Sequence, residues 1–154
     1  TVLPHTSWSS YFLNAAGVAT SRAPCGPYTF QHALRPLGLK SLDATLFQDD
    51  DGVAYRVQDV AHRYVAVLEL SVDYTNVTGR VACALRLPRE APALFKWAGR
   101  YFLAVSRITG WDANPTEVFV RESLWGADED WRSLGNPLAS RTSFASQPAH
   151  VLVY

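Results

Sequence analysis

The sequence predicts an all-β fold made of short antiparallel strands. Apolar and polar residues alternate with a period of two rather than 3.6, which is typical of strands with one buried face. Runs rich in Val, Leu, Phe and Tyr are short, and prolines and glycines fall between them, where they interrupt no ladder of hydrogen bonds. Few windows sustain an amphipathic helix, so we expect helices to contribute little.

The predicted strands follow one another along the chain as hairpins. The runs are residues 44–48, 53–58, 64–70, 93–97, 100–106, 117–121 and 151–154. The first two are joined by Asp49-Asp50-Asp51-Gly52, and the fourth and fifth by Ala98-Gly99. These two hairpins lie about 50 residues apart, which is close to the length of a β-propeller blade. Regularly spaced short strands also fit a β-sandwich, so both architectures remain open at this level.

Length and composition indicate one domain and exclude some classes of partner. The 154 residues include 14 basic and 14 acidic ones, for a formal net charge of zero. No basic stripe exists to contact nucleic acid or an anionic membrane, and no apolar run approaches the ~20 residues of a membrane-spanning helix. Cys25 and Cys83 are too few for a zinc site or a disulfide framework, and we expect two small buried residues. No cofactor is expected.

Three polar residues stand just before the first strand of successive units. Asp43 precedes the first hairpin, Glu90 precedes the second, and Gln147 precedes the closing run at 151–154. In a propeller the innermost strand of each blade starts near the axis, so equivalent residues from several blades converge there. The pattern therefore predicts a central pocket with two carboxyls and one carboxamide.

The acidic stretch at 49–51 is predicted to be a solvated turn rather than a metal site. A calcium loop of the EF-hand type places its acids at alternate positions, whereas these three are consecutive and are followed by Gly52, which suits a tight turn. The histidines also lack the spacing of metal ligands and are expected on the surface or in the core: His5, His32, His62 and His150. We therefore expect no metal.

Several segments occur together in a recognisable order. They are AAGVATSRAPCGPYTF (15–30), LRPLGLKSLDATLFQDDDGVAY (34–55), LELSVDYTNVTGR (68–80), REAPALFKWAGRYFLAVSRITGWDANP (89–115), LGNP (134–137) and TSFASQ (142–147). In these segments the sequence resembles the family 43 glycoside hydrolases, and within them the subgroup of exo-β-1,3-galactanases (galactan 1,3-β-galactosidases). The resemblance implies a five-bladed β-propeller, of which residues 1–154 would be a partial domain, roughly its C-terminal half to two-thirds.

The resemblance implies catalytic roles for the same three residues. Glu90, in EAPALFK, matches the general acid of an inverting glycosidase, and Asp43 matches the aspartate that tunes the acid and holds the sugar. Gln147, in SFASQ, matches the glutamine that replaces the general base in this subgroup, and its carboxamide can orient a water molecule. Two places depart from the family pattern: Leu42 stands for an arginine, and Pro148-Ala149 for a small polar residue and a threonine.

Trp111 and Asp112, in TGWDANP, are the candidate substrate-binding residues. The indole face of Trp111 suits the apolar C–H face of a galactose ring, although tryptophan is also a common core residue. Asp112 either binds a sugar hydroxyl or shapes its own loop as an Asx residue.

The resemblance also implies a substrate class and a location. The expected reaction is exo-hydrolysis of β-1,3-galactan with inversion, on an oligosaccharide or polysaccharide, and these 154 residues alone are not expected to perform it. A family 43 xylosidase or arabinosidase, or an inactive propeller that binds glycan, are the alternatives. Secretion is expected, with a candidate N-glycan at Asn76 in the sequon Asn76-Val77-Thr78. The chain opens on Thr1 and contains no Met, so we expect any targeting signal to lie upstream.

Overall fold

The computed structural model describes residues 13–152, which form ten strands and three short 3-10 turns. The strands are β1 (Ala16–Thr20), β2 (Thr29–Leu34), β3 (Ala44–Gln48), β4 (Ala54–Val60), β5 (Tyr64–Leu70), β6 (Val77–Leu85), β7 (Glu90–Trp97), β8 (Arg100–Ser106), β9 (Glu117–Arg121) and β10 (Arg132–Gly135). The 3-10 turns are Pro36–Gly38, Asp128–Asp130 and Ser143–Ala145. No helix within residues 13–152 has the length and apolar character needed to cross a membrane.

Two four-stranded antiparallel sheets form the body of the structure. Strands β3 to β6 make one meander and β7 to β10 make the next, each strand pairing with its neighbour in sequence. A separate two-stranded sheet, β1 with β2, precedes them. Successive four-stranded meanders of this kind are the blades of a β-propeller. The predicted fold class, part of an all-β propeller, is therefore confirmed.

The two four-stranded blades pack on each other through one apolar core. Strand alternation explains which side chains enter it: Tyr101, Leu103 and Val105 occupy every second position of β8 and are all buried. The core also receives these buried side chains from both blades: Tyr55, Val57, Val65, Val67, Cys83, Leu94 and Phe119. Burial of this shared surface fixes the position of one blade against the next.

The first strands of the two blades lie side by side. β7 contacts both β3 and β4 of the preceding blade. Asp43 comes just before β3 and Glu90 is the first residue of β7, so the two residues start equivalent strands. The backbone N–H of Ala91 donates to Asp43 Oδ2 at 3.2 Å, which joins the two strand starts directly. The packing of the blades thus creates the juxtaposition that the sequence predicts.

The observed strands correct the prediction in several places. Strands at 44–48, 64–70, 100–106 and 117–121 have the predicted bounds, whereas β7 begins at Glu90 rather than at residue 93. The predicted closing strand is wrong at residues 151–152, which are irregular, and its last two residues lie outside the described residues, as does His5. Cys25 is exposed rather than buried, and neither it nor the buried Cys83 forms a disulfide.

The acidic tip of the β3–β4 hairpin is less solvated than predicted. Gly52 has a φ of 84°, as the tight turn requires. However, the Asp49 side chain is only 9% exposed, with its carboxylate 2.7 Å from Lys96 Nζ and 2.5 Å from the Tyr101 hydroxyl. Burial raises the pKa of Asp49, but the hydrogen bonds from Lys96 and Tyr101 outweigh it, so the pKa is lowered overall. Because both partners belong to the β7–β8 hairpin, the tip links the two blades.

Candidate active site

Glu90 lies in a β-bulge at the start of β7. It pairs with Ser106 of β8, and the register shifts before the next paired residue, Ala93. Within the bulge, Ala91 has a φ of 49°, a left-handed conformation that is uncommon for a residue with a Cβ atom. Bulges bend a strand and redirect its side chains. The Glu90 side chain retains only 11% exposure, so it is buried but still reachable from solvent.

Asp43 supports the bulge from the preceding blade. Its Oδ2 accepts the hydrogen bond from Ala91 N, and its carbonyl accepts one from Asp59 N at 2.8 Å. Asp43 itself is exposed, so its carboxylate is accessible to a ligand as well as to the backbone beside Glu90.

Gln147 reaches Glu90 from a separate segment of the chain. Its Nε2 donates to Glu90 Oε1 at 3.1 Å. The segment follows the 3-10 turn Ser143–Ala145, where the buried Ser143 hydroxyl accepts the backbone N–H of Thr116 at 2.5 Å and so anchors the turn. Gln147 itself is exposed. The structure therefore brings Asp43, Glu90 and Gln147 together around one carboxyl group.

The surroundings of Glu90 favour its protonated form. Burial raises the pKa of this carboxyl most, and the nearby Asp43 charge raises it further. The hydrogen bond from Gln147 and the charge of His62 lower the pKa, but they do not cancel the rise. A carboxyl that keeps its proton above its usual pH range can act as a general acid.

Asp59 and His62 are the neighbours of Glu90 that the sequence did not reveal. Asp59 lies in β4 and is fully buried, and its Oδ2 lies 2.6 Å from His62 Nδ1. His62 Nδ1 in turn lies 3.8 Å from Glu90 Oε2. The prediction that His62 is an ordinary surface or core histidine is therefore incomplete. The only local signal was Asp-x-x-His at a strand end, which is too common to single out.

A cation could reach the same three residues. One ligand atom each from Asp59, His62 and Glu90 lie within 4.8 Å of one another. Asp59 Oδ2 and His62 Nδ1 lie in direct ion-pair contact at 2.6 Å, although Oδ2 makes no hydrogen bond of good geometry. We assign no metal to the cluster.

Trp111 stands on the loop between β8 and β9, which leaves β8 at the end where Glu90 starts β7. Its side chain is 99% exposed, so it is not a core residue and its ring is available for stacking. Asn114 organises this loop: its side chain bonds both the N–H and the C=O of Arg107. Asp112 contributes backbone groups, with its N–H donating to Thr109 O at 3.2 Å and its C=O accepting from the Thr109 hydroxyl.

Comparison with known proteins places this arrangement in a family. The model of the glycosyl hydrolases family 43 matches residues 2–150. A search among curated proteins finds no match. Among solved structures, an exo-β-1,3-galactanase from Clostridium thermocellum is 30% identical with a TM-score of 0.83, over 92% of this chain and 33% of that one.

Two further solved structures are similar to this chain in fold and in sequence. An exo-β-1,3-galactanase variant from Phanerochaete chrysosporium, solved with β-1,3-galactotriose, is 34% identical with a TM-score of 0.82, over 92% of this chain and 34% of that one. A family 43 β-1,3-galactosidase, solved with galactodeoxynojirimycin, is 27% identical with a TM-score of 0.82, over 90% of this chain and 54% of that one. The chain thus spans about a third to a half of the length of these proteins. By its family match, its blades and its sequence identity to these enzymes, the chain belongs to glycosyl hydrolase family 43.

Proposed function

We propose that the full-length protein is an exo-acting glycoside hydrolase that removes galactose from β-1,3-galactan with inversion. The observation that carries this proposal is the buried Glu90 carboxyl, held between the Asp43 carboxylate and the Gln147 carboxamide. Inverting hydrolysis needs an acid on one side of the glycosidic bond and a group that directs water on the other. The solved relatives that act on or bind β-1,3-linked galactose support this choice of sugar.

In this mechanism Glu90 donates its proton to the glycosidic oxygen as the bond to C1 breaks. Burial and the Asp43 charge raise the pKa of Glu90 and so favour its protonated form. Asp43 has two functions: its charge raises the pKa of the acid, and its exposed carboxylate accepts hydrogen bonds from sugar hydroxyls. Trp111 stacks on a pyranose ring, as its full exposure allows.

Gln147 directs the attacking water, and this function requires the side chain to move. Inverting enzymes hold their two catalytic groups about 6.5–9.5 Å apart, so that a sugar and a water fit between them. Gln147 Nε2 lies 3.1 Å from Glu90 Oε1, which is closer than this separation, so a sugar between the two groups must displace this contact. The exposure of Gln147 leaves room for that movement. A carboxamide is not a proton acceptor of useful strength, so it acts by orienting the water.

The protein is also proposed to be secreted and to carry an N-glycan at Asn76. The residue is exposed at the turn before β6, where a glycan would not disturb the core. The substitution Asn76→Gln should lower the mass of the natural secreted protein by one glycan. An unchanged mass would contradict glycosylation at Asn76 without affecting the catalytic proposal.

Activity is tested by incubating the full-length protein with β-1,3-galactan oligosaccharides and separating the products. Galactose should be the product released, and proton NMR at early times should show its α-anomer first, because inversion of a β-linkage gives an α-product. Arabinan and xylan serve as matched substrates for the alternative specificities. Release of arabinose or xylose in place of galactose would overturn the substrate, and no release from any of them would favour an inactive glycan-binding propeller.

A further inference from the structure

The Asp59–His62 pair lies beside the acid but has no role in the mechanism above. Gln147 donates to Glu90 Oε1, so a proton on the carboxyl is favoured at the other oxygen, Oε2. His62 Nδ1 lies 3.8 Å from Oε2. The imidazole is therefore next to the oxygen that is suited to carry the catalytic proton.

Asp59 holds the His62 ring in this position through two contacts. Its Oδ1 accepts the backbone N–H of His62 at 2.7 Å, and its Oδ2 lies 2.6 Å from the ring. The Asp59 backbone is bonded in turn to the neighbouring segment, through Asp43 O at 2.8 Å and Leu42 N at 3.1 Å. Rotation of the ring away from Glu90 would separate the imidazole from the buried Asp59 carboxylate and lose the electrostatic attraction of this 2.6 Å contact.

The β4–β5 turn that carries His62 is conformationally unusual. Ala61 and His62 have φ values of 54° and 58°, and Arg63 N closes the turn on Val60 O at 3.0 Å. Turns with two successive left-handed residues normally use Asn and Gly. Other non-glycine residues adopt the left-handed backbone conformation only where surrounding contacts hold them in it, and such residues cluster at active sites. Here the Asp59 carboxylate provides those contacts.

We propose that His62 is a positioning residue for Glu90: Asp59 fixes its imidazole beside Oε2, and the ring determines the pH range over which that oxygen carries its proton. The inference rests on the proposed function of Glu90 as the general acid. The charged and polar groups around Glu90 are the following: Asp43 before β3, Asp59 in β4, His62 in the β4–β5 turn, Gln147, and Arg89, which pairs with Glu117.

The direction of the effect follows from the charges. A protonated His62 stabilises the Glu90 carboxylate and so lowers its pKa, opposite to the effect of Asp43. Removing the imidazole should therefore raise the pKa of Glu90 and move the alkaline limb of kcat/KM to higher pH. The ring side chain is 43% exposed and partly screened, so we expect a shift of about 0.5–1 pH unit.

His62→Asn and His62→Ala separate the charge of the ring from its contact with Asp59. Asparagine tolerates the left-handed backbone and can keep an N–H directed at Asp59, but it cannot be charged. Both variants should show the alkaline shift, and His62→Ala should also lose kcat, which His62→Asn restores at least in part. Ala61→Gly changes the same turn without touching the ring, so it should leave the pH profile unchanged.

The decisive measurement does not depend on activity. Carbon-13 NMR of the Glu90 carboxyl in the full-length protein should show a titration at higher pH in His62→Asn than in the wild type. An unchanged Glu90 titration would overturn the inference even if the enzyme is fully active. A shifted titration in a protein that hydrolyses no galactan would instead overturn the proposed function and keep the inference.

Discussion

Replacement of Glu90 by glutamine is the sharpest test of its function as an acid. Glu90→Gln keeps the size of the side chain and can still accept the hydrogen bond from Gln147 Nε2, so the fold should be preserved. The substitution removes the carboxyl proton, and proton donation by a general acid typically accelerates a reaction by about 10²- to 10⁴-fold. A loss of about 10³-fold corresponds to about 4 kcal/mol of transition-state stabilisation.

The assay compares two leaving groups on the same enzyme. On β-1,3-galactobiose the departing sugar alkoxide needs the proton, so kcat should fall by about 10³-fold in Glu90→Gln. On dinitrophenyl β-galactoside the phenolate leaves without protonation, so the loss should be within about tenfold. Thermal unfolding should be unchanged, because no core contact is altered. An equal loss on both substrates would refute proton donation and point to a binding or structural function.

Four further substitutions have definite expected outcomes. Asp43→Asn removes the charge that raises the pKa of Glu90, so the alkaline limb of the pH profile should move to lower pH; an upward shift would contradict this electrostatic assignment. Gln147→Ala should lower kcat by about 100-fold with little change in KM, as steady-state kinetics will show. Trp111→Ala should raise KM by about tenfold without changing thermal stability, because its side chain is 99% exposed. Leu103→Ala, in the core between the blades, should lower the free energy of unfolding by about 2–5 kcal/mol in denaturant titrations.

Strands that carry their own pattern were predictable from the sequence. β3, β5, β8 and β9 have alternating or continuous apolar runs, and their predicted bounds are the observed ones. No sequence pattern predicts β6, because Thr78, Gly79 and Arg80 in its first half are exposed and not apolar. Its strand conformation comes from pairing with β5, which no local pattern records.

The candidate site was predictable only in part, for the same reason. Asp43 and Glu90 start equivalent strands of successive blades, so their convergence can be predicted from position. The place of Gln147 follows from the family resemblance, because the strand predicted after it is wrong at residues 151–152. His62 offers no such regularity, because its place beside Glu90 depends on a left-handed turn and on a buried aspartate. The sequence predicts a solvated Asp49 because the partners of this residue, Lys96 and Tyr101, lie in another hairpin.

Glu90, Asp43 and Gln147 come from three separate stretches of chain, and the packing of one blade on the other keeps Asp43 in register with Glu90. Small slippage of one blade past the other would separate Asp43 from Glu90 while every sheet kept its hydrogen bonds. Turnover is thus a more sensitive gauge of blade alignment than circular dichroism. At low denaturant concentrations, kcat should decrease while the circular dichroism signal of the β-strands is unchanged.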